Sequence, residues 1–247
     1  MVLHPRMQFA SYQCAIFAIA LLAGCTTSAP VTRGEVKGAS VTVGEIAQSD
    51  FNRVATVTMR ANLDSLAALM DKLYKRNPRE WRKHATSQAA ASERVLAALK
   101  TRTPWPELGG KRDIEALSLA LDPNFSGDRV AAFIYALGDM LIMAHGNRME
   151  FYLLDGLDAQ HLYNAARNLE VAAWILASRR DASQRPLLLS NEISDAARNV
   201  TFEREFGKMI GRVDLVASLV TEKYRRAGIG YVHSLFGAQF LQFLPVR

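Results

Sequence analysis

Cysteine is almost absent from this chain: its 247 residues contain two, Cys14 and Cys25. Two cysteines form one disulfide at most, which excludes the multiply bridged scaffolds of small secreted proteins. A chain of this length can bury a sizeable hydrophobic core without such bridges. We therefore expect the packing of that core to supply the stability.

A long apolar run is also lacking at the N-terminus. The apolar stretch from Cys14 to Gly24 has roughly half the length of a transmembrane helix. Arg6 is the one full charge before it, and polar Thr26, Thr27 and Ser28 follow it too soon for a buried core helix. A short positive region, a short apolar run and small residues at its end predict a secretory signal over residues 1–24.

The residues at the end of this run resemble the lipobox of bacterial lipoproteins. They are Leu22, Ala23, Gly24 and Cys25. The resemblance implies cleavage before Cys25 and lipidation of that cysteine, which would tether the chain to a membrane. Thr26 stands where an aspartate would favour inner-membrane retention, so the resemblance implies the periplasmic face of the outer membrane.

The next segment, residues 25–44, is poor in large apolar side chains and has no sustained period. We interpret it as a flexible tether with a reach of roughly 25 Å. A short strand at 39–43 is the alternative.

From residue 45 onward, apolar residues recur at intervals of three and four, which predicts an all-α, single, helical bundle-like domain over 45–247. Asn77, Pro78 and Glu80 suggest a capped helix start after the first long helix. His145 would place a cation at the C-terminal end of the central helix. The expected helices span about 51–76, 128–145, 158–178 and 201–226, with a loop at 101–110 and short strands or buried loops at 150–155 and 185–190.

Catalytic and metal-binding motifs are missing. The sequence has no Gly-x-Ser-x-Gly and no Glu-x-x-His, and removal of the signal leaves Cys25 as the one cysteine. Asp158 and His161 lie one helical turn apart, but capping by Asp158 explains them more simply than a metal site. Helical geometry places Asp139 on the more solvent-exposed side of the central helix. We predict no catalytic residue, metal or cofactor.

Two stretches suggest interaction surfaces. The basic-aromatic corner contains Lys72, Lys75, Arg76, Arg79, Trp81, Arg82 and Lys83. Export would remove nucleic acid as its partner and leave anionic envelope components; a solvated helix corner is the alternative.

The second stretch, residues 227–246, has no charged residue and includes Phe236, Phe240 and Phe243. It predicts either a terminal helix docked on the body or an exposed apolar face for a partner or the lipid surface. Just before it, Gly207 and Gly211 are four residues apart, a spacing that permits close helix packing.

Together these features predict a non-catalytic outer-membrane lipoprotein that acts as an adaptor or assembly factor for an envelope protein partner. The body, with KLYKRNPREWRK (72–83) and LYNAARNLE (162–170), resembles uncharacterised proteobacterial outer-membrane lipoproteins, a resemblance that brings no activity. The alternatives are a helical binding module for a lipid or small apolar ligand, and an enzyme acting on glycan or lipid.

Overall fold

A computed structural model describes residues 30–31, 34–35, 48–152, 155–193 and 198–241 of the chain. Most of the predicted tether, the alternative strand at 39–43, Cys25 and Phe243 lie outside these residues. The N-terminal unit contributes an antiparallel pair of two-residue strands, β1 (Pro30–Val31) and β2 (Gly34–Glu35). This pair lies inside the segment interpreted as a tether.

The remaining described elements belong to one compact unit that is all-α, as the apolar period predicted. Its seven helices are α1 (Asp50–Arg76), α2 (Pro78–Trp81), α3 (Gln88–Thr101), α4 (Asp113–Ala120), α5 (Arg129–Ala144), α6 (Ala159–Ser178) and α7 (Thr201–Leu241). A 3₁₀ turn (Pro106–Leu108) precedes α4, and a two-residue strand pair, β3 (Glu192–Ile193) and β4 (Arg198–Asn199), precedes α7.

Helix α5 is the centre of the unit, as predicted. All 14 residues from Arg129 to Ile142 are buried, because α1, α3, α4 and α6 surround the helix. Its first turn is fixed by Asp128, which accepts hydrogen bonds from the backbone of Ala131 at 2.9 Å and from the Tyr74 hydroxyl at 2.8 Å. The cap therefore also ties α5 to α1.

The close helix approach occurs at Gly138 of α5, not at the predicted Gly207 and Gly211. A Cβ atom at Gly138 would lie 2.6 Å from Leu99 Cδ1 and 3.0 Å from Leu66 Cδ2. Gly207 and Gly211 are exposed, and a Cβ atom at either would meet nothing within 4 Å. The prediction of a tight seam at those two glycines is wrong, because they lie on the outer side of α7.

The predicted capping of a helix by Asn77 and Glu80 is also wrong, although Pro78 does occupy the first helical position. The Asn77 amide instead donates to the carbonyl of Leu189 at 2.9 Å and accepts from its N–H at 2.8 Å. Glu80 accepts from the backbone of Arg129 at 2.7 Å. Both side chains serve tertiary contacts, and the helix they were expected to start ends after Trp81.

The first and last helices of the unit lie against each other. Arg212 of α7 donates to the carbonyl of Ala61 at 3.0 Å and to the Ser65 hydroxyl at 2.9 Å. Lys72 of α1 pairs with Glu205 of α7 at 3.0 Å. The short apolar runs at 150–155 and 185–190 are loops in their described parts, with Phe151 and Leu188 buried.

Candidate functional site

The body-packing stripe of α7 ends at Val220. The helix packs on the body through buried residues spaced three and four apart: Phe202, Phe206, Met209, Val213, Val216, Ala217 and Val220. At the next positions of the same stripe, Tyr224 and Tyr231 are 60% and 67% exposed. Every residue from Lys223 to Ser234 is exposed. The predicted docking of the tail on the body is therefore wrong for residues 227–234, although α7 itself continues to Leu241.

The outer side of α7 becomes more continuously apolar where the helix leaves the body. At about 100° per residue, Gly211, Leu215, Ser218 and Glu222 lie opposite the body-packing stripe, and Leu215 is 53% exposed. Beyond Arg226, the same side is continued by four positions spaced three and four apart, Ile229, Val232, Phe236 and Phe240. Ile229 and Val232 are 40% and 45% exposed. We call these four residues the outer stripe.

On the body-packing side of α7, large apolar side chains become fewer beyond Val220. Beyond Val220 its positions are held by Tyr224, Ala227, Tyr231, Ser234, Leu235 and Ala238. Apart from Leu235, small and hydroxyl-bearing residues thus replace the phenylalanines and valines that pack on the body. Ile229 and Val232 lie on the side of the helix that faces away from the body.

Cations cluster where the exposed part of α7 begins. Glu222 accepts from Arg225 at 2.6 Å and from Arg226 at 3.2 Å, and Lys223 Nζ lies 4.8 Å from the ring centroid of Phe51. Three cations and one carboxylate leave this turn with a net charge of +2. It is followed by twenty uncharged residues, 227–246.

The basic-aromatic corner is largely neutralised by nearby carboxylates. Lys72, Lys75, Arg76 and Lys83 pair with Glu205, Asp71, Glu192 and Glu80 at 2.7–3.0 Å. Arg82 lies 5.1 Å from the Trp81 ring centroid, and Arg79 is exposed. The corner contacts α7 through the ion pair between Lys72 and Glu205. Glu205 precedes Lys223 by 18 residues, which corresponds to about 27 Å along the helix axis. The fold does not bring the two predicted surfaces together.

Asp139 is buried, contrary to the prediction that it lies on the more solvent-exposed side of α5. It is 4% exposed, with Arg102 Nη2 at 2.9 Å from Oδ1 and Arg112 Nε at 3.1 Å from Oδ2. Two guanidinium groups therefore compensate one interior carboxylate. Burial also raises the pKa of the neighbouring Tyr135 hydroxyl, which donates to the carbonyl of Thr103 at 3.0 Å.

Asp158 caps α6, as predicted. Its Oδ1 accepts from the backbone N–H groups of Gln160 and His161 at 2.7 and 3.1 Å, and these bonds lower the pKa of the carboxyl. Within the described residues, no group of three or more His, Cys, Asp or Glu side chains is arranged to hold a metal ion.

A cleft with polar and apolar walls lies between α4, α5 and α6. It has a volume of about 320 Å³ and is lined by Asp113, Met140, Met143, Ala144, His161, Asn164, Ala165 and Asn168. Among the described residues that line it, Asp113 is the one carboxylate. Sequence reasoning identified His161, Asn164 and Asn168 without Asp113, which comes from a helix far away along the chain.

Sequence reasoning also missed Ile229 and Val232 of the outer stripe. Their three-and-four spacing to Phe236 and Phe240 was available, but it becomes meaningful only once α7 is known to continue past Arg226.

Comparison with known proteins gives no relative: no family model, curated protein or solved structure matches this chain. No helix in the described part of the chain combines the length and apolarity that a membrane crossing requires. The all-α fold and the exposed residues 223–234 of α7 are thus the features that bear on function.

Proposed function

We propose that this chain is a non-catalytic lipoprotein of the outer membrane that acts as an adaptor or assembly factor among envelope components. One observation carries the proposal: α7 extends beyond Val220, its last buried residue described, and presents exposed Ile229 and Val232 on the side that faces away from the body. Exposed apolar surface of this kind marks a binding surface. A protein whose most unusual feature is a binding surface is suited to holding other molecules together.

Membrane attachment is supported by the residues around Cys25. Leu22, Ala23 and Gly24 before that cysteine resemble a lipobox, and Thr26 after it agrees with outer-membrane sorting. More than one acyl chain is needed for stable anchoring, and a lipoprotein cysteine carries at least two. We place the body on the periplasmic face, without cofactor or nucleic acid.

Membrane fractionation of cells that produce the Cys25→Ser chain tests the anchor. We expect this chain in the soluble periplasmic fraction and the wild-type chain in the outer-membrane fraction. A Thr27→Ser chain is the matched control, since it changes the same segment and keeps the cysteine. Retention of the Cys25→Ser chain in the outer membrane would contradict lipid anchoring.

Crosslinking in intact cells followed by affinity purification and mass spectrometry tests the adaptor function. We expect a reproducible envelope protein with the full chain and its loss with a chain that ends at Arg226. The comparison is valid only if the shortened chain has the same thermal unfolding transition as the full chain. A co-purifying lipid or glycan with no protein partner would contradict the adaptor proposal.

A binding module for a small ligand is the second candidate, favoured by the cleft between α4, α5 and α6. Its amide, imidazole and carboxylate groups suit a polar ligand that also contacts Met140 and Met143. Native mass spectrometry of the purified chain would detect a retained ligand, and Asn168→Leu should abolish its retention. An enzyme acting on glycan or lipid is less well supported, because glycoside hydrolysis uses two carboxylates and this cleft is lined by one.

A further inference from the structure

We infer that the outer stripe docks as a helix into an apolar groove of a partner protein whose rim is acidic at one end. The inference rests on the proposed adaptor function and specifies how the partner is recognised. Its four residues, Ile229, Val232, Phe236 and Phe240, stand at positions i, i+3, i+7 and i+11 of one continuous helix. This is the spacing by which a helix places anchors in a groove.

The geometry of α7 excludes the body as the occupant of this surface. The outer stripe lies on the side of the helix opposite Val213, Val216 and Val220, which face the body. A continuous helix cannot turn its far side toward the body. The stripe spans about 17 Å along the helix axis, so a groove of one protein domain can cover it.

The exposed part of α7 has a low intrinsic tendency to form a helix in water. Gly228, Gly230 and Gly237 fall within ten residues, and each costs up to about 1 kcal/mol relative to alanine in a helix interior. Little packing compensates this cost, because every residue from Lys223 to Ser234 is exposed. Contact along the outer stripe would supply the missing stabilisation.

The flanking residues favour a protein over a bilayer. The four positions occupy about 80° of the helix circumference, and His233 and Gln239 stand at its two edges. An apolar centre with an uncharged hydrogen-bonding rim is the composition of a protein interface. Helices that lie on membranes carry Lys and Arg on their polar face, whereas residues 227–246 contain none.

Charge specifies one end of the groove and disfavours a parallel pair of two copies of this chain. Lys223, Arg225 and Arg226, with Glu222, give a net charge of +2 immediately before the stripe. An acidic rim at that end would complement these cations. Two copies paired in parallel would bring the same cations together, which is unfavourable.

Site-specific photocrosslinking in intact cells tests the inference. A photoreactive residue is placed singly at Ile229, Phe236 or Phe240, and at the matched controls Tyr231, Ser234 and Ala238 on the opposite side of the same helix. Arg79 of the basic-aromatic corner is a further position. Adducts are detected with an antibody against the body, and each chain is checked for an unchanged thermal transition.

We expect one discrete protein adduct from the three outer-stripe positions, at least fivefold stronger than from the three controls. Phe236→Asp should abolish the adduct formed from position 229, whereas Ala238→Asp should leave it. Both substitutions lie beyond Val220, the last buried residue described in α7, so we expect neither to change the stability of the body.

Other results overturn the inference in distinguishable ways. An adduct of twice the chain mass would identify a second copy as the occupant, and a lipid adduct would identify the bilayer. A protein adduct from position 79 without one from the stripe would refute the groove and leave the adaptor function standing. No protein adduct from any position would refute both proposals.

Discussion

His145, the residue at the C-terminal end of α5, is fully buried. Its Nδ1 lies 2.8 Å from the carbonyl oxygen of Leu141, and its Nε2 is buried without a hydrogen-bond partner. A carbonyl oxygen only accepts, so Nδ1 carries a proton, and a second proton on the buried, unpartnered Nε2 would be unfavourable. Burial lowers the pKa of His145 below its usual 6.5. The predicted role as a cation at the helix end is therefore wrong.

This burial predicts an acid-dependent loss of stability. Above pH 6.5 His145 is neutral in both the folded and unfolded chains and makes no pH-dependent contribution. Below that pH the unfolded chain binds a proton that the folded chain does not. The free energy of unfolding should then fall by up to about 1.4 kcal/mol per pH unit, until the lowered folded pKa is reached.

Urea unfolding at pH 7.5 and pH 5.5, about one pH unit on each side of the ordinary pKa of histidine, measures this loss. We compare the wild-type chain with His145→Gln, since all other titrating groups are common to both and cancel. The wild-type chain should lose more stability than the variant between the two pH values. Equal losses would show that His145 is protonated in the folded chain.

Asp139 supports a second prediction for a single residue. Asp139→Ala removes the shared partner of Arg102 and Arg112 and should lower the free energy of unfolding by about 1–3 kcal/mol. Asp64, which is exposed on α1, provides the control, because Asp64→Ala should change stability by no more than about 0.5 kcal/mol. Equal effects of the two substitutions in chemical unfolding would contradict a structural role for Asp139.

Among the helices, the contact between α5 and its neighbours depends on Gly138. Gly138→Ala forces Leu99 and Leu66 to move, and both are buried, so we expect a loss of about 1–3 kcal/mol. Gly207→Ala makes the same chemical change on the open side of α7 and should gain up to about 1 kcal/mol from helix propensity. Chemical unfolding of both variants measures the difference; a stabilised Gly138→Ala chain would mean that no close approach exists.

The helices were largely predictable because their apolar faces repeat every three or four residues. The cap at Asp158 was correctly predicted, since a side chain that bonds the next turn acts locally. Asn77 and Glu80 have the same local pattern, but the backbone of Leu189 and of Arg129 competes for their side chains. Such partners are distant along the chain, and spacing alone does not reveal them.

On the scale of the whole described helical unit, a packed body is followed beyond Val220 by a segment of α7 in which residues 223–234 are exposed. A chain ending at Arg226 should therefore unfold with a free energy within about 0.5 kcal/mol of the full chain, because it loses no described buried side chain. Thermal and urea unfolding of the two chains make the comparison. A larger loss would show that residues after Arg226 pack on the body.

The sequence indicated that residues 227–246 are unusual, since the absence of charge is visible without a structure. It did not indicate which side of the helix carries the apolar residues relative to the body. That relation depends on the register that begins at Phe202 and continues unbroken into the tail. For the basic-aromatic corner, the sequence was misleading. Its cations are prominent in the sequence, but Glu192 and Glu205, which are distant along the chain, neutralise two of them.

The contact between α1 and α7 has a consequence for biogenesis. If the chain is exported as we propose, it would emerge from the inner membrane N-terminus first, and α1 would arrive before Arg212 and Glu205 can contact it. Core closure requires contacts between the two ends of the body, and such long-range contacts form late. The translocated intermediate would expose the apolar face of α1 until nearly all of the chain has emerged, and a periplasmic chaperone would have its best opportunity to bind during that interval.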